Sequence, residues 1–437
     1  MVLVRPHHER IISYGVCLLL ATGMFLLGYM TERTDHFRLL ALLTFCFGMG
    51  YLLFRSSLSI PFLVLVGIFL RLMLAFMLPN LSDDVYRFIW DGQLLAAGLD
   101  PFEQLPSEIA ASGVFPGGTS ELLYEQLNSP DYFTVYPPLM QYIFFAAARI
   151  SGDSIFYNVL FLRSIIIIAE IAVLYLFYRK DPGNRNLLFY ALNPAVILEF
   201  TGNLHFESLM LFLIVACAWY FVSSPVRSGL SFGLAIAVKL VPLIFGPVLL
   251  FSQPLRKSLK FFGAASLALL LIFIPLFGQE LVGGMQESLT LYFKKFEFNA
   301  SIYYVIRAVG FWRFGYNDIA FIGPFLAWTS LILIIVISWR MRAYRNTDLL
   351  TAAGIILTVY LFMATTVHPW YVVTAAGLMV FSKYRYAAVW SYTVMFSYMG
   401  YTANGYELNE LWLIMEYFIV LIVLLLDIRN EKSEYEV

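Results

Sequence analysis

The chain has 437 residues, 60% of them hydrophobic and only 13% charged, with a mean hydropathy of +0.77. Water-soluble proteins carry about a quarter charged residues, so a soluble fold is excluded and the composition is that of a polytopic membrane protein. A net charge of -1 and the lack of any basic tract give no footing to a nucleic-acid partner.

The chain opens with Arg5, His7, His8 and Arg10 ahead of an apolar run from Ile11 to Met30. That run imitates a signal peptide, but it is too long for one. Gly28-Tyr29-Met30-Thr31 is not a small-x-small cleavage site, so a retained first span is expected. A span needs roughly 20 apolar residues to cross the hydrocarbon core. Segments of that kind lie at 11–30, 37–54, 58–78, 155–178, 186–201, 206–222, 258–277, 320–340, 349–366 and 411–427. Residues 229–252 read as two short helices meeting at Lys239 and Pro242, and 370–381 and 386–402 as shorter crossings. The expected fold is all-α and polytopic, with about 12–14 crossing helices in a single membrane domain spanning 1–437. Cys17, Cys46 and Cys217 all fall inside apolar runs and read as small buried hydrophobes without a disulfide.

Tyr136 to Ile150 is apolar but short. If it lies in the interface rather than crossing, every short basic loop falls on one side: Arg55; Arg179, Lys180 and Arg185; Arg227; Arg256, Lys257 and Lys260; Arg340, Arg342 and Arg345; Lys383 and Arg385. The positive-inside rule then places those loops in the cytoplasm and 136–150 on the membrane surface. The same topology exports the loop 79–154, whose ten Asp or Glu residues face only Arg87 and Arg149, and a second outer loop, 278–323. The first two spans occupy 1–57.

Under this topology the rare polar residues gather at one face. Asp83, Asp84, Arg87 and Asp91 begin the first outer loop, and Arg163 lies near the outer end of its span. His205 and Glu207 occupy one outer turn, Lys239 an outer helix break, and Lys294, Lys295, Glu297, Asn299 and Arg307 the second outer loop. His368 opens a further turn. Carboxylates beside Lys, Arg and His suit an acid–base step next to an anion. A carboxylate can accept a hydroxyl proton while fixed cations stabilise charge on a departing phosphate. That chemistry describes sugar transfer from a lipid phosphate to an alcohol.

Ser82-Asp83-Asp84-Val85-Tyr86-Arg87-Phe88-Ile89-Trp90-Asp91-Gly92, followed by Gly98-Leu99-Asp100-Pro101-Phe102 and Tyr136-Pro137-Pro138-Leu139, resembles the first outer loop of GT-C membrane glycosyltransferases. It is most similar to the polyprenol-phosphate-mannose-dependent mannosyltransferases. Asn203-Leu204-His205-Phe206-Glu207-Ser208-Leu209-Met210 resembles that family's G-x-H-N-D-A-L-M turn, with Glu207 where Asp is usual. Ala237-Val238-Lys239-Leu240-Val241-Pro242, Phe298-Asn299-Ala300-Ser301-Ile302-Tyr303 and His368-Pro369-Trp370-Tyr371 are also similar to family segments. The likeness runs from about Arg71 to Tyr371.

The resemblance implies an inverting transfer of a hexose, mannose by preference, from a polyprenyl-phosphate donor to a lipid- or glycan-linked acceptor. It implies an acidic first-loop base, Asp84 ahead of Asp83, and no nucleotide-binding domain. Arg87, Arg163, His205, Glu207, Lys239, Lys294, Lys295 and His368 become candidates for binding the donor and its phosphate. No metal site or cofactor is read from the sequence, because His205 and His368 lack evident further ligands. The expected setting is a bacterial inner membrane with the site facing outward, since the sequons at Asn80 and Asn299 would place glycans against it.

Plainer roles exist for several of these residues. Asp83 and Asp84 suit a helix cap, Asp91 suits an i,i+4 pair with Arg87, Arg71 could snorkel to the interface, and Lys294 and Lys295 could be a solvated pair. Lys239, by contrast, has little evident partner in the sequence. The rival reading is a transporter or flippase of a lipid-linked sugar, although no paired repeats with matching broken helices are evident. An O-antigen-ligase type enzyme is a third, but its arginine-rich outer loop is not seen.

Overall fold

The computed structural model describes residues 6–342 and 348–435; Arg5 of the N-terminal flank and Arg345 of one basic loop lie outside them. The described chain is all-α apart from a short hairpin pairing Tyr401–Thr402 with Gly405–Tyr406. Among the described residues, six helices are long and apolar enough to cross a membrane: Glu9–Met30, His36–Arg55, Ile155–Lys180, Leu255–Leu276, Ile319–Met341 and Glu410–Asn430. Pro194–Gly202 and Glu207–Tyr220 make a seventh if they count as one broken span.

The remaining expected spans are shorter or broken, and local chemistry accounts for the breaks. The 186–201 segment is interrupted before Pro194, where the Asn193 side chain accepts the N–H groups of Ala195 and Val196 and starts a new turn. It ends in a π-helical turn, Ile197–Gly202. The 229–252 stretch divides where the sequence placed the break: Pro225–Val238 stops at Lys239, and the short turn Val241–Phe245 begins with Pro242 near its start. The 136–150 segment is a single 14-residue helix, Pro138–Ser151.

The chain forms two compact units. One takes in the N-terminal part to Leu81, Ile167–His205 and the part from His368 onward; the other takes in Ser82–Ile166 and Phe206–Val367. The first unit is held by buried polar ties. Arg71 does not snorkel. It is fully buried, its Nε donating to Glu170 at 2.5 Å and its Nη1 to the carbonyls of Gly67 and Ala191 at 2.9 and 2.8 Å. The Tyr190 hydroxyl donates to the same carboxylate. A buried charge survives in an apolar helix because its counter-charge and donors are satisfied locally. Gly67 permits this approach, since a Cβ there would collide with the Ala191 carbonyl. Arg185 donates to the carbonyls of Leu53, Phe54, Ser56 and Leu58 and so closes the C-terminal end of His36–Arg55.

The second unit packs helix Asp84–Ala96 on helix Pro138–Ser151. Phe88 stacks on Phe144 with ring centroids 4.8 Å apart, and Tyr136 meets Phe88 edge-on at 4.9 Å. Gly92 sits where a Cβ would strike the Phe144 carbonyl, so the Asp-Gly pair of the first-loop motif includes a packing glycine. Gly229 and Gly233, one turn apart, bring Pro225–Val238 against the backbone of Leu255–Phe273 in the same way.

Candidate active site

Asp83 occupies the N-cap position of helix Asp84–Ala96, yet its side chain makes no capping bond. The Asp84 N–H is instead bonded by the Ser82 hydroxyl at 3.4 Å. The Asp84 carboxylate turns to the loop that follows, accepting the Asn128 amide at 2.7 Å and the Tyr136 hydroxyl at 3.4 Å. Both aspartates are partly exposed. Burial, and then the Asp83 charge, raise the Tyr86 phenol above its usual pKa.

One turn along, Arg87 donates from Nε to Asp91 at 2.7 Å and from Nη1 to the carbonyls of Ser129 and Tyr132 at 3.1 and 2.8 Å. Gln141 donates to the second Asp91 oxygen and to the Thr134 hydroxyl, each at 3.1 Å. Asp91 therefore pairs with Arg87 at i,i+4 as the spacing suggests. Arg87, expected at a donor phosphate, instead clamps the 129–132 loop onto the helix that begins at Asp84. Further along, burial and the nearby Glu280 charge raise the Asp100 carboxyl, although its bond from the Phe102 N–H pulls the other way.

Glu207 opens helix Glu207–Tyr220, and Lys239 ends helix Pro225–Val238 with extended backbone. Their side chains form an ion pair, with Glu207 buried and Lys239 23% exposed. Lys239 thus has a partner that its place in the sequence did not reveal. Arg163 is fully buried within Ile155–Lys180.

Lys294 and Lys295 are both exposed at the end of helix Gln279–Lys294. They border different cavities, Lys294 one of about 660 Å³ and Lys295 one of about 540 Å³. Beyond them, Glu297 accepts Arg307, the Tyr303 hydroxyl and the Asn317 amide. Phe298 bridges to the 365–367 segment through its N–H to the Thr365 carbonyl at 3.0 Å and its carbonyl to the Val367 N–H at 2.8 Å.

His205 and His368 belong to the first unit. Both imidazoles stack on the Trp370 indole, with centroids 3.7 and 4.3 Å away. His205 Nδ1 lies 2.9 Å from the Glu199 carbonyl and 3.3 Å from its carboxylate, and the Tyr398 hydroxyl donates to that carboxylate at 2.8 Å. Glu199 and Tyr398 were missed by sequence reasoning. The signal available was a lone carboxylate within an apolar run. Among the described residues, no cluster of three or more His, Cys, Asp or Glu side chains could hold a metal ion.

No curated protein matches the sequence. A family model described as the N-terminal domain of alpha-(1->6)-mannopyranosyltransferase matches residues 13–253, more than half the chain. The matched region runs from the first span through Asp83, Asp84 and Glu207 to the Lys239 break, and the chain belongs to the alpha-(1->6)-mannopyranosyltransferase family.

Proposed function

We propose that this mannosyltransferase takes its sugar from a polyprenyl-phosphate donor and passes it, with inversion, to a hydroxyl of a lipid- or glycan-linked acceptor. The acceptor oxygen attacks the anomeric carbon and loses its proton to Asp84, while the bond to the phosphate oxygen breaks and the polyprenyl phosphate leaves. The observation that carries the reading is the Asp84 carboxylate. It stands at the first position of its helix, is partly exposed, and is oriented by Asn128 and Tyr136. A general base needs that combination of access and fixed direction.

Lys239, held by Glu207 at its helix break, and Lys294 are the cations proposed for the phosphate. Arg87 acts one step removed, by keeping the 129–132 loop beside the base. The loop 79–154 is then the catalytic outer loop. The distribution of basic loops supports an outward-facing site, and the inner membrane of a bacterium is the proposed location.

The test uses protein reconstituted in liposomes with an octyl α-1,6-mannobioside acceptor. It compares polyprenyl-phosphate [¹⁴C]mannose with GDP-[¹⁴C]mannose as donors. Label should reach the mannoside only from the lipid donor. Transfer from the nucleotide sugar would overturn the donor assignment, and labelled lipid crossing the bilayer without transfer would favour a flippase.

A further inference from the structure

The helix Gln279–Lys294 has two unlike flanks. On one lies the larger cavity, walled by Phe273, Phe277, Val282, Met285 and Trp328 with Lys294 at its border; Gln286 and Thr290 of the helix line both cavities. On the other lies the smaller cavity, walled by Asp131, Tyr132, Gln286, Glu287, Thr290 and Lys295. Both fall within the ~300–1,000 Å³ typical of ligand pockets. Their linings suit different chemistry.

We propose that the polar cavity is the acceptor site and that it binds the end of a neutral hexose chain. This rests on the mannosyl transfer proposed above. Two carboxylates against one ammonium make the cavity net negative, which disfavours a phosphate or pyrophosphate group. The same carboxylates, with Gln286 and Thr290, accept and donate hydrogen bonds to hydroxyls, and Tyr132 offers an aromatic face to a sugar ring.

One wall of the cavity is built from the loop that also contacts the proposed base. The 131–133 segment belongs to the loop whose start, Asn128, bonds Asp84 and whose Ser129 and Tyr132 carbonyls are gripped by Arg87. Ser288, on the opposite wall, donates to the carbonyls of Phe133 and Thr134 at 3.3 and 3.2 Å. A hexose chain seated there rests on the loop that orients Asp84. The two substrates would thereby lie side by side along the helix, sharing Gln286 and Thr290, with Lys294 bordering one and Lys295 the other.

The test measures KM for octyl α-1,6-mannobioside and for the lipid donor in Gly283→Trp and Glu287→Gln. Gly283 lines the polar cavity and has open space where its Cβ would stand, so a tryptophan side chain can fill the cavity without displacing backbone. Acceptor KM should rise about tenfold or more while donor KM stays within about twofold and the melting temperature is retained. Calorimetric binding of the mannobioside without donor should be lost in Gly283→Trp. Parental acceptor KM in both variants, or a rise in donor KM instead, would overturn the cavity assignment while leaving the transfer reaction standing. A parent that binds the mannoside, and whose binding the tryptophan abolishes, yet transfers no mannose would sink the proposed reaction and leave the cavity. A parent that neither binds nor glycosylates it overturns both.

Discussion

Removing the Asp91 carboxylate tests whether the first-loop motif is held by its buried ion pair. Asp91 is fully buried and Arg87 only 4% exposed. Asp91→Ala leaves a guanidinium without its counter-charge in a dry setting, a change that costs about 3–5 kcal/mol. The Ser129 and Tyr132 carbonyls still accept from Arg87, and Gln141 keeps the Thr134 hydroxyl and the Tyr136 carbonyl. Those surviving bonds place the loss near the lower end, about 3 kcal/mol. For a unit of about 250 residues this corresponds to a fall of roughly 6–12 °C in melting temperature. Tryptophan fluorescence of the detergent-solubilised protein, heated at one fixed rate, reads it. The double variant Arg87→Met with Asp91→Leu removes both charges and should recover most of the stability. It should not recover transfer, because the 129–132 loop loses its clamp. A double variant as unstable as Asp91→Ala, or a single variant within about 2 °C of the parent, would refute the reasoning.

Gly92→Ala should destabilise by about 1–3 kcal/mol through collision with the Phe144 carbonyl, seen as a lowered melting temperature with no change in donor preference. Asp100 binds its proton more tightly folded than unfolded, so its ionised form weighs against the fold once pH exceeds the usual carboxylate range. Asp100→Asn keeps an acceptor for the Phe102 N–H and should therefore melt higher than the parent at pH 7. That advantage should shrink as pH falls towards ~3.9, and an equal gap at both pH values would contradict the assignment. Lys239→Met should lower kcat about 10²–10³-fold while acceptor KM holds, if its ammonium meets the departing phosphate.

The membrane class and the strongest spans were legible because apolar runs of full length carry their own signal, as with Ile155–Lys180 and Ile319–Met341. The break at Lys239 was legible for a different reason: a cation and a proline interrupt one apolar stretch. The helix Ile60–Met73 illustrates what was not. The run from Leu58 to Leu78 reads as one full span, yet the helix is only 14 residues long and its arginine is buried against Glu170, 99 positions away. A pairing between distant segments leaves no trace in hydropathy. Lys239 and Glu207 show the same limit, since their ion pair joins two separate helix ends.

Within the site, the first-loop motif was visible as an excess of charge beside an apolar run, and the i,i+4 spacing already marked Asp91 as the partner of Arg87. The contacts that distant loop residues make with Asp84 and Arg87 were not visible. In the fold the Asp84 carboxylate is partly exposed beside Asn128 and Tyr136, and that of Asp91 is sealed under Arg87 and Gln141. Both sequon asparagines are occupied by the fold: Asn80 donates to the Leu27 carbonyl at 2.8 Å, and Asn299 is buried.

The central claim is that Asp84 deprotonates the acceptor. Its most direct test is the rate of mannose transfer from the lipid donor by the parent, Asp84→Asn and Asp83→Asn, each first shown to melt with the parent. The account predicts that Asp84→Asn loses transfer by about 10²-fold or more while still binding donor, and that Asp83→Asn retains most of it. An active Asp84→Asn beside an inactive Asp83→Asn would move the base to the neighbouring carboxylate. Full activity in both would contradict the account.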